Sequence, residues 1–247
     1  MQSVLLLPEN TEMKSLEEKI RLLKDIRIVP AGSEETFSAP LVYLDLTFDI
    51  FNKNVTEEYL YNQFSLIHAT LGPLNYPEGV LTIIKNYPFK TNVNRFLRIL
   101  RIIENFVSFL SEFYRARIIF VPSIISRHGF QILNTPPIRL INALRLDKTD
   151  QVNVRDASRF YLIYEMDALD SIYNRKAVLE KDIVVEGIEL SLRDIYERSC
   201  RIVGNTPVRF DQANFINFEY PEENSDPVLC LNYDLEDMVI DITNYLF

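Results

Sequence analysis

The feature that most constrains the fold is a long apolar stripe between residues 94 and 114. With successive residues about 100° apart around a helix, nine large apolar side chains fall on roughly half of the circumference. Arg98, Arg101 and Glu104 fall on the other half. A helix of this length with one apolar side must pack that side against other elements, so the chain needs a sizeable core.

Extended segments are interleaved with the helices. Residues 41–50 alternate between apolar and polar side chains, which predicts a strand with Asp45 and Asp49 on a solvated face. These two carboxylates are expected to lie about 13 Å apart, too far to chelate one metal ion directly. Further strands are predicted at 117–121, 160–164, 182–185, 214–220 and 228–233.

Helix starts are marked by capping residues. Residues 15–18 and 191–194 have the pattern of capping boxes, and Thr56 and Asp234 are placed as N-caps. Long helices interleaved with short strands predict an α+β class, with a mixed α/β fold as the alternative. We expect one compact domain over 1–247, or two closely packed lobes: an N-terminal lobe at 1–145 and an acidic C-terminal lobe at 146–247.

Charge is distributed unevenly along the chain, whose total is −9. Residues 91–145 contain eight arginines, two glutamates and no lysine, giving 8 − 2 = +6. Residues 146–247 contain 10 basic and 21 acidic side chains, giving 10 − 21 = −11. Because guanidinium is the preferred cation for buried and interfacial ion pairs, an arginine-only block indicates a contact surface.

Three functions are compatible with this block. The first is a non-enzymatic assembly subunit, plausible for a viral structural protein, that pairs its arginines with carboxylates of its own or of another copy. Its interface residues are predicted to be Arg98, Arg101, Arg115, Arg117 and Arg127. The second is a nucleic-acid-associated factor that binds phosphates with the same block. The third is an enzyme acting on an anionic substrate, with Arg127 as the clamp and His128 as the weak candidate for acid or base. We expect the first, with a homo-oligomer or another protein as partner.

Several classes of chemistry are not expected. No two of the six glycines lie within six residues of each other, so a phosphate-binding loop is absent and no cofactor is predicted. Two distant cysteines and two distant histidines do not have the spacing of a metal site. There is no signal peptide and no apolar window long enough to span a membrane, which predicts an intracellular protein of the cytoplasm or nucleus.

Overall fold

The computed structural model describes residues 3–23, 25–33, 41–72, 80–126, 133–173, 181–221, 226–228 and 231–244. Its main sheet has seven strands, all parallel, in the order β14-β10-β6-β4-β3-β1-β2. These strands are β1 (Ser3–Leu7), β2 (Ile26–Pro30), β3 (Leu41–Asp45), β4 (Val80–Asn86), β6 (Ala116–Val121), β10 (Ile183–Val185) and β14 (Asp226–Val228).

Helices cover both faces of the main sheet. On one face, α2 (Glu57–Leu71) and α3 (Asn94–Phe113) pack on Val42, Leu44 and Ile83. On the other face, a 3-10 turn (Met13–Leu16), α1 (Glu17–Ile20) and α5 (Glu165–Tyr173) pack on Tyr43 and Ile84. Strands covered on both faces have no solvated side, so their side chains need not alternate in polarity.

A second lobe packs against the sheet. Its own five-stranded path is β11-β9-β13-β5, with β7 joined to β9. The strands are β5 (Phe89–Thr91), β7 (Ser123–Ile125), β9 (Arg159–Tyr164), β11 (Ile188–Ser191) and β13 (Ile216–Phe218). A short parallel pair consists of β8 (Gln151–Val152) and β12 (Arg209–Phe210). The helices of this lobe are α4 (Pro136–Arg145), α6 (Leu192–Val203) and α7 (Leu235–Asn244).

The prediction of a protein of mixed helices and strands is confirmed, but the α+β class is corrected to α/β. The main sheet is parallel, and helices lie in the connections from β1 to β2, from β3 to β4 and from β4 to β6. Strands from both sides of residue 145 join this sheet, so the lobes are interleaved along the chain. The strand predicted at 41–50 ends at Asp45, and both Asp45 and Asp49 are buried rather than solvated.

Local signals located the helices with mixed success. Helix α3 occupies Asn94–Phe113, close to the predicted 94–114. Ser191 and Asp194 form both bonds of a capping box at α6, and Thr56 caps α2. The capping-box pattern at 15–18 does not start a long helix: only the 3-10 turn and α1 form there, and the Ser15 hydroxyl donates to the Glu12 carbonyl instead of capping.

Candidate ligand site

The carboxyl ends of β1, β3, β4 and β6 meet at one edge of the main sheet. From β1 the chain moves to β2 on one side and later returns to β3 on the other side, which makes the β1–β3 boundary a switch point. In open parallel sheets, ligands bind in the crevice outside the carboxyl ends at such a point. The segments that follow these four strands therefore define the candidate site.

Glu12, in the segment after β1, is the central acidic group. Its side chain is buried; Oε1 accepts from Asn86 Nδ2 at 3.0 Å, and Oε2 accepts from the Ile124 N–H at 2.7 Å. The pKa of the Glu12 carboxyl is raised to about 8, chiefly by burial and also by the nearby carboxylates of Asp49 and Asp45, against the lowering effect of the two hydrogen bonds it accepts. The carboxyl is therefore mostly protonated at neutral pH.

Two more carboxyl groups lie at the end of β3 and just after it. The Thr47 hydroxyl and N–H donate to Asp45 Oδ1 at 2.7 and 2.9 Å, while burial raises the pKa of Asp45 to about 6. Among the described residues, Asp45 Oδ2 has no hydrogen-bond partner. Asp49 Oδ2 accepts from the N–H of Asn134 at 2.8 Å, and burial raises the pKa of this carboxyl as well. The end of β3 and the segment after it are thus held by hydrogen bonds from Thr47 and Asn134.

A cavity opens between the main sheet, α3 and the second lobe; we name it the interlobe cavity. Its cavity volume is about 40 Å³, and the free space is about 480 Å³ when the open solvent at its mouth is included. Five aromatic side chains, with Leu46, Ile50, Leu100 and Ile103, form its apolar walls. Glu12, Lys85, Asn86 and Glu104 supply its polar groups. Lys85 Nζ lies 2.5 Å from Glu104 Oε1.

The predicted arginine interface is not one surface. Arg98 is exposed, and its Nε lies 2.9 Å from Oε1 of Glu57 on α2. Arg101 is exposed on the same helix as Arg98. Arg115 is also exposed, but Arg117 is buried in the sheet and donates from Nε to the Thr82 hydroxyl at 2.8 Å. None of these four lines the interlobe cavity.

Two other predicted positions, Arg127 and His128, lie outside the described residues. Elsewhere in the arginine block, Arg139 contacts both carboxylate oxygens of Asp150, at 2.9 and 2.8 Å. This is the kind of arginine–carboxylate contact expected with the acidic part of the chain, and it lies within one subunit. The block is therefore divided among separate local roles.

The sequence analysis did not predict the residues that line the interlobe cavity. A signal existed for Lys85 and Asn86: the apolar run at 80–84 has the composition of a buried parallel strand, and the polar residues directly follow it. Glu12 comes five residues after the end of the apolar run at 4–7, so its signal was weaker. Glu104 had no signal of its own, because it lies on the polar side of the long helix.

The described ranges contain no group of three or more His, Cys, Asp or Glu side chains placed to hold a metal ion. Within the same ranges, no helix has the length and apolar character needed to cross a bilayer.

The sequence has no significant match to any protein-family model or curated protein. Solved structures do match it over its full length. UDP-glucuronic acid 4-epimerase from Bacillus cereus, in complex with UDP-glucuronic acid and NAD, gives a TM-score of 0.64 at 10% identity, covering 100% of both chains. L-threonine 3-dehydrogenase from Trypanosoma brucei gives 0.62 at 12% identity, covering 99% of this chain and 96% of that one. The holo GalE-like L-threonine dehydrogenase from Cupriavidus necator gives 0.58 at 10%, covering 100% of both.

These similarities establish the fold: a Rossmann-like α/β domain with a second lobe. They contradict the prediction of a non-enzymatic, self-assembling structural protein of a virus, because the matching structures are dehydrogenases and an epimerase. The arginine block misled the prediction because buried, paired and exposed arginines are indistinguishable in the sequence.

A dinucleotide site of this fold needs glycines in the turn after the first strand, so that backbone N–H groups can approach the pyrophosphate. Here residues 8–13 contain no glycine. The N–H groups of Glu12 and Met13 already donate to the carbonyl and hydroxyl oxygens of Thr47, at 2.8 and 3.3 Å. The helix that follows, α1, has only four residues. The residues of this turn therefore do not fit the pyrophosphate of NAD(P).

Proposed function

We propose that this protein binds a small organic ligand with a flat, largely apolar body and one polar end in the interlobe cavity. One observation carries the proposal: aromatic walls from both lobes converge on Glu12, Lys85 and Asn86 at the carboxyl ends of the strands. An apolar cavity with a few convergent polar groups is the usual form of a small-molecule site.

The walls favour a planar ligand. Phe89 and Phe218 belong to the second lobe, with ring centroids 4.9 Å apart. Phe51, which follows β3, meets the ring of Phe96 on α3 at 5.1 Å. Phe48 and Tyr87 complete the aromatic lining. Aromatic rings bind flat ligands by offset or edge-to-face contacts, so a ring or a conjugated group suits this cavity better than a flexible chain.

The polar end of the ligand would meet Glu12 and Asn86. With its pKa raised to about 8 by burial, the Glu12 carboxyl is mostly neutral at pH 7 and carries a proton that it can donate. A protonated carboxyl at the end of an apolar cavity is suited to donate a hydrogen bond, or a proton, to a ligand oxygen. This role needs no dinucleotide.

NAD(P)-dependent oxidoreductase or epimerase chemistry is the second candidate function. The full-length similarity to dehydrogenases and an epimerase favours it. The glycine-free turn at residues 8–13 argues against it. Binding of NADH separates the two candidates, because the first function predicts ligand binding without any dinucleotide.

Benzamide, a flat ring with a neutral amide, is a suitable probe for saturation-transfer NMR and calorimetry. We expect a dissociation constant on the order of 1 mM, as is usual for so small a ligand. Leu100→Trp should abolish binding because Leu100 lines the cavity. Leu97→Trp is the matched control, since Leu97 lies on the same helix and is exposed. Absence of binding to the wild type, or equal binding by Leu100→Trp, would refute the proposal.

A further inference from the structure

We infer that the ligand of the interlobe cavity is a small carboxylate with a flat apolar body, which Lys85 binds after the ligand displaces Glu104. This inference rests on the proposed function, because it names the chemical class that the same cavity accepts. It follows from an asymmetry between the two partners of one ion pair.

Lys85 is a fixed, buried cation. It lies near the end of β4 with 7% of its surface exposed, and its Nζ lies 5.5 Å from the centroid of the Phe120 ring. Removing an ammonium group from water is strongly unfavourable unless a counter-charge compensates for it. Lys85 therefore needs an anion beside its buried ammonium group.

Glu104 supplies that anion from the solvent side. It lies on α3, and its side chain is 52% exposed, whereas that of Lys85 is only 9% exposed. If the Glu104 side chain turned away from Lys85, its carboxylate would be fully hydrated. Forming the ion pair restricts the rotamers of this side chain, so the net free-energy gain for Glu104 is modest. A ligand carboxylate entering the cavity can take over the contact with Lys85 while Glu104 returns to water.

The other polar groups of the cavity permit a single negative charge. Lys85 is the one basic side chain in the described lining of the cavity, and Asn86 is neutral. Glu12 is mostly protonated at neutral pH, so it does not repel an anion there. A planar carboxylate presents one charge to one ammonium group, whereas a phosphate dianion would call for more donors than this lining provides.

Benzoate and benzamide test the inference, because they share a ring and differ in charge. By calorimetry at neutral pH, the wild type should bind benzoate more tightly than benzamide. Glu104→Gln should strengthen benzoate binding several-fold, since the competing carboxylate is gone, and leave benzamide unchanged. Lys85→Met should weaken benzoate by about tenfold or more, the value of a charged hydrogen bond, with little effect on benzamide.

The outcomes separate this inference from the proposed function. If benzamide binds in the cavity but benzoate does not bind more tightly, or Glu104→Gln has no effect, the inference is overturned and the proposed function stands. If benzamide does not bind the wild type, the proposed function itself fails. Lys85→Gln replaces Lys85→Met if circular dichroism shows that the methionine variant is unfolded, and Glu104→Gln provides the decisive comparison in either case.

Discussion

Asn86 donates from Nδ2 to Glu12 Oε1 at 3.0 Å, a bond between residues 74 apart in the sequence. It joins the end of β4 to the segment after β1. The Ile124 N–H holds the other oxygen of Glu12 from β7, at 2.7 Å. The carboxyl is therefore fixed between both lobes, where burial, more than any neighbouring charge, decides its protonation.

We predict that stability falls as the pH rises from about 4.5 to about 8. The folded protein holds the Glu12 proton up to a pKa of about 8, whereas the unfolded chain releases it near 4.5. Protonation therefore stabilises the fold fully below pH 4.5, and this contribution is lost as the pH rises through 8. The full effect is on the order of 5 kcal/mol. The raised pKa values of Asp45 and Asp49 act in the same direction.

Urea unfolding at several pH values, for the wild type and Glu12→Gln, measures this contribution. The glutamine variant should lose most of the slope, because its amide does not titrate. Glu58→Gln, on the exposed side of α2, is the control and should keep the wild-type slope. A Glu12→Gln protein with an unchanged slope would show that other groups produce the pH dependence.

Arg117 should be dispensable for stability. The residue is 5% exposed; its Nε donates to Thr82, and its Nη1 has no hydrogen-bond partner among the described residues. Because a buried cation without a carboxylate partner gains little, Arg117→Met should be neutral or stabilising. Thr82→Val, which leaves the guanidinium without its hydroxyl acceptor, should cost about 1–3 kcal/mol. Chemical denaturation of both single variants and the double variant gives the coupling; a large loss for Arg117→Met would contradict this prediction.

Elements with local signals could be predicted from the sequence. The apolar stripe located α3, and the Ser191–Asp194 capping box located α6, because the interacting residues are neighbours on one helix. The alternation at 41–50 was misleading: Asp45 looked like the polar side of a half-exposed strand. In the parallel sheet, both sides of β3 are covered, so the pattern reflected a buried polar network.

The candidate site could not be predicted from local sequence patterns. Glu12, Lys85 and Glu104 come from three segments, and sheet order and helix packing alone bring them together. The arginine block shows the converse, since Arg101 and Arg117 are close in the sequence but one is exposed and the other is buried. The net charge of a sequence segment does not predict a charged surface when its residues lie in different layers of the fold, some buried in the sheet and others exposed on a helix.

Gly187 is predicted to be required for the junction between the lobes. It lies between β10 and β11, and a Cβ at this position would come within 2.5 Å of Pro122 Cγ and 3.1 Å of the Leu162 carbonyl. Gly187→Ala should therefore destabilise the protein by about 1–3 kcal/mol through overpacking. Gly72→Ala is the matched control, because its Cβ would meet nothing closer than 3.4 Å. Equal melting temperatures for the two variants would contradict the predicted crowding.

NADH should not bind this protein. Residues 8–13 lack glycine, Thr47 already accepts from the N–H groups of Glu12 and Met13, and α1 is too short to offer a strong dipole to a phosphate. Titration of NADH fluorescence should show no saturation up to about 1 mM, a concentration at which even weak specific binding is visible. Glu12→Gln should behave likewise, because removing the carboxyl does not restore the missing backbone approach. Saturable binding by the wild type would restore the NAD(P)-dependent candidate, and binding by Glu12→Gln alone would show that this carboxyl excludes the dinucleotide.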